Sequence, residues 1–162
     1  MNKNGTGWIA LGAILAGIAV ITGAFAAHGM DGFCAEKYGG EPAVVIAGWE
    51  HPLAYKRLND FQVGARYQMY HALGLIAVGL LLGFRACKLV SAAGWCFLAG
   101  IILFSGSLYV LVLSGITWLG AITPIGGVLM IIGWGLLAAG AWTGRKSPAE
   151  VPAPQNARQD HT

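Results

Sequence analysis

Two histidines stand out in a chain poor in ionisable groups: His28, at the end of one apolar run, and His71, inside another. Arg66, Tyr67 and Gln68 lead into His71, Ser105, Ser107 and Tyr109 fall in a third apolar run, and Thr123 with Pro124 opens a fourth. Ionisable side chains are costly in hydrocarbon, and those that occur there are functional candidates by default. Three chemistries suit this set. In the first, the polar side chains hydrogen-bond one another and nearby carbonyls, acting as glue between helices. In the second, His71 handles a small solute or ion in an outward-facing polar pocket, with His28 as its partner. In the third, haem or a quinone sits between His28 and His71 in a redox subunit. The sequence favours the first.

Nothing else in the chain argues for catalysis or for a bound metal. There is no Ser-His-Asp set, paired intramembrane carboxylate, HExxH or phosphate-cradling glycine loop, and no third ligand of the right type accompanies the histidines. No enzymatic activity and no cofactor are expected. Cys34, Cys87 and Cys96 form no CxxC pair and fall on different segments, so they define neither a disulfide framework nor a zinc site. Cys96 lies in an apolar run and behaves there as a small hydrophobe.

The elements that position these residues follow from composition. Of 162 residues, 56% are hydrophobic and 10% charged, with a mean hydropathy of +0.63. A soluble domain of this size cannot bury so much apolar surface. A spanning helix needs about 20 apolar residues, and four runs qualify, at about 8–27, 67–84, 92–113 and 119–142. Backbone groups in lipid must be paired within the segment, which makes helices the form for runs this long. The expected fold is all-α: an antiparallel four-helix bundle integral to the membrane, a single domain over residues 8–143 with short N-terminal residues 1–7 and a Pro- and Ala-rich disordered tail at 144–162. The net charge of +3 comes without a basic stripe, so nucleic acid is not an expected partner. The partner is the lipid bilayer, with a larger membrane complex or a homo-oligomer beyond it.

Residues 29–66 form one longer outer loop holding five of the seven acids. Within it, residues 53–66 mix apolar and charged positions in a way that suits a helix lying at the interface and feeding into span two, and residues 41–49 read as loop. The connection between spans two and three carries Arg85 and Lys88, and Lys3, Arg145 and Lys146 lie on the same side, which places both termini inside. Trp8, Trp95 and Trp142 mark that inner interface and Trp118 the outer one. A cleavable leader ending near Ala26 is the competing reading of the N-terminus. It is disfavoured because the run is long and carries a packing face. That face, Gly12, Ala16, Ala19, Gly23 and Ala26, has counterparts at sevens in Ala65, Ala72, Gly79 and Ala86, in Ala93, Gly100, Ser107 and Ser114, and in Gly126, Gly133 and Gly140. Small residues at this period let helix backbones approach in a left-handed bundle.

At 1.5 Å per residue, these spans put His71 roughly 6 to 8 Å below the outer surface, Ser105, Ser107 and Tyr109 roughly 6 to 12 Å down, and Thr123 about 6 Å down. Pro124 reads as a helix-start device, since its missing N–H falls where no intrahelical partner exists. The expected site is therefore an outer-facing polar pocket of His28, Arg66, Tyr67, Gln68, His71, Ser105, Ser107, Tyr109, Thr123 and Pro124.

The stretches Gly23-Ala24-Phe25-Ala26-Ala27-His28-Gly29, Arg66-Tyr67-Gln68-Met69-Tyr70-His71-Ala72-Leu73, Leu103-Phe104-Ser105-Gly106-Ser107-Leu108-Tyr109 and Gly120-Ala121-Ile122-Thr123-Pro124-Ile125-Gly126-Gly127 occur in that order. Together they resemble DUF423, the transmembrane protein 256-like family of small four-span membrane proteins of unknown function, which includes short bacterial inner-membrane proteins. The resemblance implies a four-helix membrane fold in a bacterial inner membrane and no particular activity. The first loop departs from the family pattern by being about twice as long, and an insertion is expected within residues 31–59.

Overall fold

A computed structural model describes residues 3–143 of the chain; the tail expected at 144–162 lies outside the described residues. The chain runs through α1 (Lys3–His28), α2 (Met30–Tyr38), a hairpin of β1 (Val44–Ile46) and β2 (Trp49–His51), α3 (Leu53–Phe84), α4 (Lys88–Ile101), a π-helical turn (Ile102–Gly106), α5 (Ser107–Ser114), a 3-10 turn (Thr117–Ala121) and α6 (Thr123–Trp142). Four helical stretches are long and apolar enough to cross a membrane: α1, α3, α4 running through the π turn into α5, and α6. The central two, α3 and α4–α5, bury the larger share of their residues, while α1 packs chiefly on α3 and α6 chiefly on α4.

The seams form where small residues recur at sevens. Gly5, Gly12, Ala19 and Ala26 of α1 face Ala65, Ala72 and Gly79 of α3, so closely that a Cβ on Gly12 would stand 2.7 Å from the Ala72 carbonyl oxygen. Gly5 joins this seam from outside the expected span, whereas Gly23 faces open space. On the other side Gly133 receives the ring of Phe97 and Gly140 the side chain of Val90. A continuous apolar core of Leu75, Val78, Val90, Phe97, Ile101 and Met130 fills the space between α3, α4 and α6.

The ends of the elements are set by local chemistry. Gly115, at φ +85°, adopts the left-handed conformation that ends α5. Pro124 lies in the first turn of α6, as its lack of an N–H requires. The guanidinium of Arg85 donates to the carbonyls of Gly140 and Ala141, capping the end of α6.

The long loop is more ordered than its sequence suggests. Met30, Cys34 and Tyr38 recur at fours on one face of α2 and pack with Ala26, Phe61, Leu111 and Val112. The Tyr38 hydroxyl donates to the Val112 carbonyl at 2.6 Å and the Lys37 ammonium to that of Leu113 at 2.5 Å. Both acceptors lie in the last turn of α5, where carbonyls lack intrahelical partners, so α2 caps the third span. Burial raises the Tyr38 phenol above its usual range, more than the Arg57 guanidinium lowers it, and keeps it a donor.

A two-strand hairpin over residues 44–51 takes up most of the stretch 41–49 expected as loop, with Val45 opposite Glu50 and Ile46 opposite Trp49. Its turn holds Ala47 at φ 52° and Gly48 at φ 85°, the two positive values of a type I′ turn.

The helix expected to lie at the interface over residues 53–66 and to feed into span two is the first part of one uninterrupted 32-residue helix. Three of its charged positions meet each other: Asp60 accepts from Lys56 at 2.8 Å and from Arg57 at 3.4 Å, and Arg57 lies over the Tyr38 ring. Gly64, the one glycine of this first part, is packed against the ring of Tyr109. At 1.5 Å per residue, 32 residues reach roughly 48 Å, well beyond a hydrocarbon core of about 30 Å.

Candidate functional site

His71 projects from α3 toward α4 and α6 and is 5% exposed. Its Nδ1 lies 2.7 Å from the carbonyl oxygen of Tyr67, one turn earlier, and the Trp134 indole donates from Nε1 to His71 Nε2 at 3.2 Å. An indole N–H only donates, so Nε2 carries no proton and Nδ1–H faces the carbonyl; the partners impose a neutral imidazole of one tautomer. The ring is walled by Phe97, with centroids 5.6 Å apart, and by Tyr67, which stacks in turn on Phe104 at 4.7 Å. A groove of about 730 Å³ runs past His71 between α3 and α6, lined by Tyr67, Tyr70, Leu73, Phe104, Gly127, Met130, Ile131 and Trp134.

Phe97 and Trp134 stand well inside α4 and α6, so His71 lies near the middle of the bundle, farther from the start of its helix than the expected span start at residue 67 puts it. The difference arises because α3 starts at Leu53 and His71 is more than four turns into it.

Three other arrangements share out the rest of the expected pocket. Gln68, buried on α3, donates from Nε2 to the Leu15 carbonyl at 2.8 Å, and its Oε1 accepts from the Tyr109 hydroxyl at 3.0 Å. Tyr109 is in turn 3.3 Å from the Thr22 hydroxyl. This chain of side chains ties α1, α3 and α5 together. Nearer the loop end, Ser107 donates to the Phe104 carbonyl at 3.0 Å and lies 3.0 Å from the Thr123 hydroxyl, joining α5 to the start of α6 beside Pro124. Ser105 is fully buried in the π turn, and its hydroxyl has no hydrogen-bond partner among the described residues.

Arg66 and His28 do not join these groups. Arg66 is exposed and edges a shallow cleft with Tyr70 against α1. His28 is exposed at the end of α1. Gly12 faces Ala72, so His28, sixteen residues farther along α1 (28 less 12), stands roughly 24 Å along the axis from the level of His71. A haem or quinone held between His28 and His71 therefore has no basis in the geometry. Among the described residues, no cluster of three or more His, Cys, Asp or Glu side chains is placed to hold a metal ion.

The expected single pocket is thus three separate networks, one orphan hydroxyl and two exposed side chains. Trp134 and Thr22 are additions that the residue types alone did not single out. Trp134 carried a usable signal: a tryptophan in mid-span belongs to neither interface, and its N–H there needs an acceptor.

The chain was compared with known proteins. A family model described as Protein of unknown function (DUF423) matches residues 22–127. A UPF0382 membrane protein of Staphylococcus saprophyticus is 43% identical over 135 residues, covering 83% of this chain and 96% of its own. The UPF0382 membrane protein YwdK of Bacillus subtilis is 44% identical over 139 residues, with 83% and 94% covered. One from Staphylococcus epidermidis is 46% identical over 127 residues, with 78% and 88% covered. No solved structure matches the chain. With four helices long and apolar enough to span among the described residues, a family model matching residues 22–127 and relatives aligned over most of both lengths, this multi-pass membrane protein belongs to the DUF423 family of proteins of unknown function.

Proposed function

We propose that this protein is a non-enzymatic structural or accessory component of a bacterial inner membrane, with both termini on the cytoplasmic side. The observation that carries the reading is the state of His71. A proton carrier or an axial ligand needs a free ring nitrogen; here one faces the Tyr67 carbonyl and the other receives the Trp134 N–H. The groove beside it is walled by aromatic and aliphatic side chains and offers a polar solute few groups to replace its water. The Gln68 and Ser107 networks likewise spend their hydrogen bonds on joining helices. The orientation rests on Arg85, in the short connection between α3 and α4, and on Lys88 at the start of α4.

A double-mutant cycle tests the role of His71. His71→Ala and Trp134→Phe should each lower the stability of the purified protein in detergent, by about 1 kcal/mol for an interhelical hydrogen bond. Combined, they should cost less than the sum. The reading fails if His71→Ala melts like the wild type yet abolishes pH-dependent solute flux in proteoliposomes, with Trp134→Phe unaffected. Purification from native membranes supplies the partner test: a larger complex with stoichiometric companions supports the accessory role. A haem absorption band in that material would contradict it.

A further inference from the structure

At the end of the bundle that carries the termini, α1 and α4 do not close on each other. They leave a cavity of about 780 Å³, floored by Leu82 at the end of α3 and by the α3–α4 connection. This volume lies within the range of ligand sites, about 300–1,000 Å³. The depth of the cavity is apolar, with Leu11 on the α1 side and Leu98 on the α4 side. Trp8 and Trp95 meet edge to face across it, with centroids 5.2 Å apart, and the Trp8 ring rests on Gly94, where a Cβ would stand 3.0 Å away. The mouth is polar, with Lys88 and Ser91 on the first turn of α4.

Among the described residues the charge at this mouth is uncompensated. Every acid among the described residues, from Asp31 to Asp60, lies at the opposite end of the bundle. Arg85 is committed to the carbonyls that end α6, whereas Lys88 is exposed with no acceptor among the described residues. Lys88 also stands in the first turn of α4, where the helix dipole already favours an anion over a cation. We propose that this cavity is a binding site for an anionic phospholipid. One acyl chain lies between Leu11 and Leu98 against the paired tryptophans, and the phosphate is held by Lys88 and Ser91. A tryptophan-lined mouth at headgroup depth with one unpaired cation matches an anionic amphiphile better than a neutral lipid.

The test uses the full chain in nanodiscs and reads quenching of tryptophan fluorescence by bromine on the acyl chains. Brominated phosphatidylglycerol should quench at about tenfold lower mole fraction than brominated phosphatidylcholine. Lys88→Gln should abolish that preference, and Lys88→Arg should keep it. Gly7 lines the cavity with open space at its Cβ position, so Gly7→Leu should displace the chain and reduce quenching by both lipids with all charges intact. Equal quenching by the two lipids in the wild type overturns the proposal, as does a preference that survives Lys88→Gln in a protein that melts normally. If Lys88→Gln fails to fold, Gly7→Leu decides alone: unchanged phosphatidylglycerol quenching overturns the proposal. Inorganic phosphate at millimolar concentration should leave the preference intact, and loss of the preference would make the ligand a soluble anion instead.

Discussion

Gly126→Ala should unfold or severely destabilise the protein, while Gly135→Ala on the same helix should leave it intact. A Cβ on Gly126 would lie 2.5 Å from the Phe104 nitrogen and 2.9 Å from its Cα, whereas one on Gly135 meets nothing within 4 Å. The obstruction at Gly126 is backbone and cannot rotate away, so α6 must withdraw from the third span. In withdrawing it loses the seats of Phe97 on Gly133 and of Val90 on Gly140. Overpacking of a close-packed interior typically costs about 1–3 kcal/mol, and the upper figure applies where a whole seam parts. Gly135→Ala removes a glycine from an exposed helix position and should stabilise by up to about 1 kcal/mol. Thermal or detergent-denaturant melting of the two variants gives the comparison. Equal melting would mean that α6 does not pack on the third span by this seam.

Asp60→Ala should produce the second large loss, at the other end of the molecule. Asp60 is the carboxylate that faces Arg57, and Arg57 is 7% exposed beneath α2 with its Nε already lacking a partner among the described residues. Removing one member of a buried pair strands the other, at about 3–5 kcal/mol. The lower figure suits this site because the Asp60 side chain keeps 16% exposure and Lys56 shares it. The expected sign is loss of α2 docking. Cys34 reports it directly: its thiol is 1% exposed, and burial raises it above its ordinary range despite the nearby Arg57 cation. A water-soluble maleimide should leave Cys34 unlabelled in the wild type and label it in Asp60→Ala. Adding Arg57→Met to the Asp60→Ala variant should restore protection, because the stranded charge is gone. Continued labelling in the double variant would show that the carboxylate, not the unpaired guanidinium, governs docking.

The spans and their seams were legible because lipid imposes two strict requirements: apolar length and small residues wherever backbones meet. Gly12, Ala72, Gly100 and Gly133 satisfy both, and their sevenfold spacing survives in the structure. Depth was less legible. Lys56 and Arg57 share the Asp60 carboxylate on the first part of a helix that starts at Leu53 and runs on without a break through span two, and that places His71 at mid-bundle.

The candidate residues were identified by type and grouped by end. Hydrogen bonding divides them differently, since reach across helices depends on rotation about each axis, which residue type does not report. The hairpin escaped notice because Ala47 is an uncommon residue for a left-handed turn position. Helix α2 had a readable face at Met30, Cys34 and Tyr38, interrupted by Gly32.

The unequal pairing of the helices has a consequence for how the chain is made. The glycine seam of α1 belongs to α3, which leaves the ribosome only after the whole of α2 and the hairpin, so α1 must wait in the bilayer with its seam unfilled. Lipid chains can occupy that seam in the interval, because it exposes no unpaired backbone group. The last two spans are neighbours in sequence, separated by a short turn, and can join as soon as both are released. Assembly therefore proceeds as two antiparallel pairs that dock through α3 and α4.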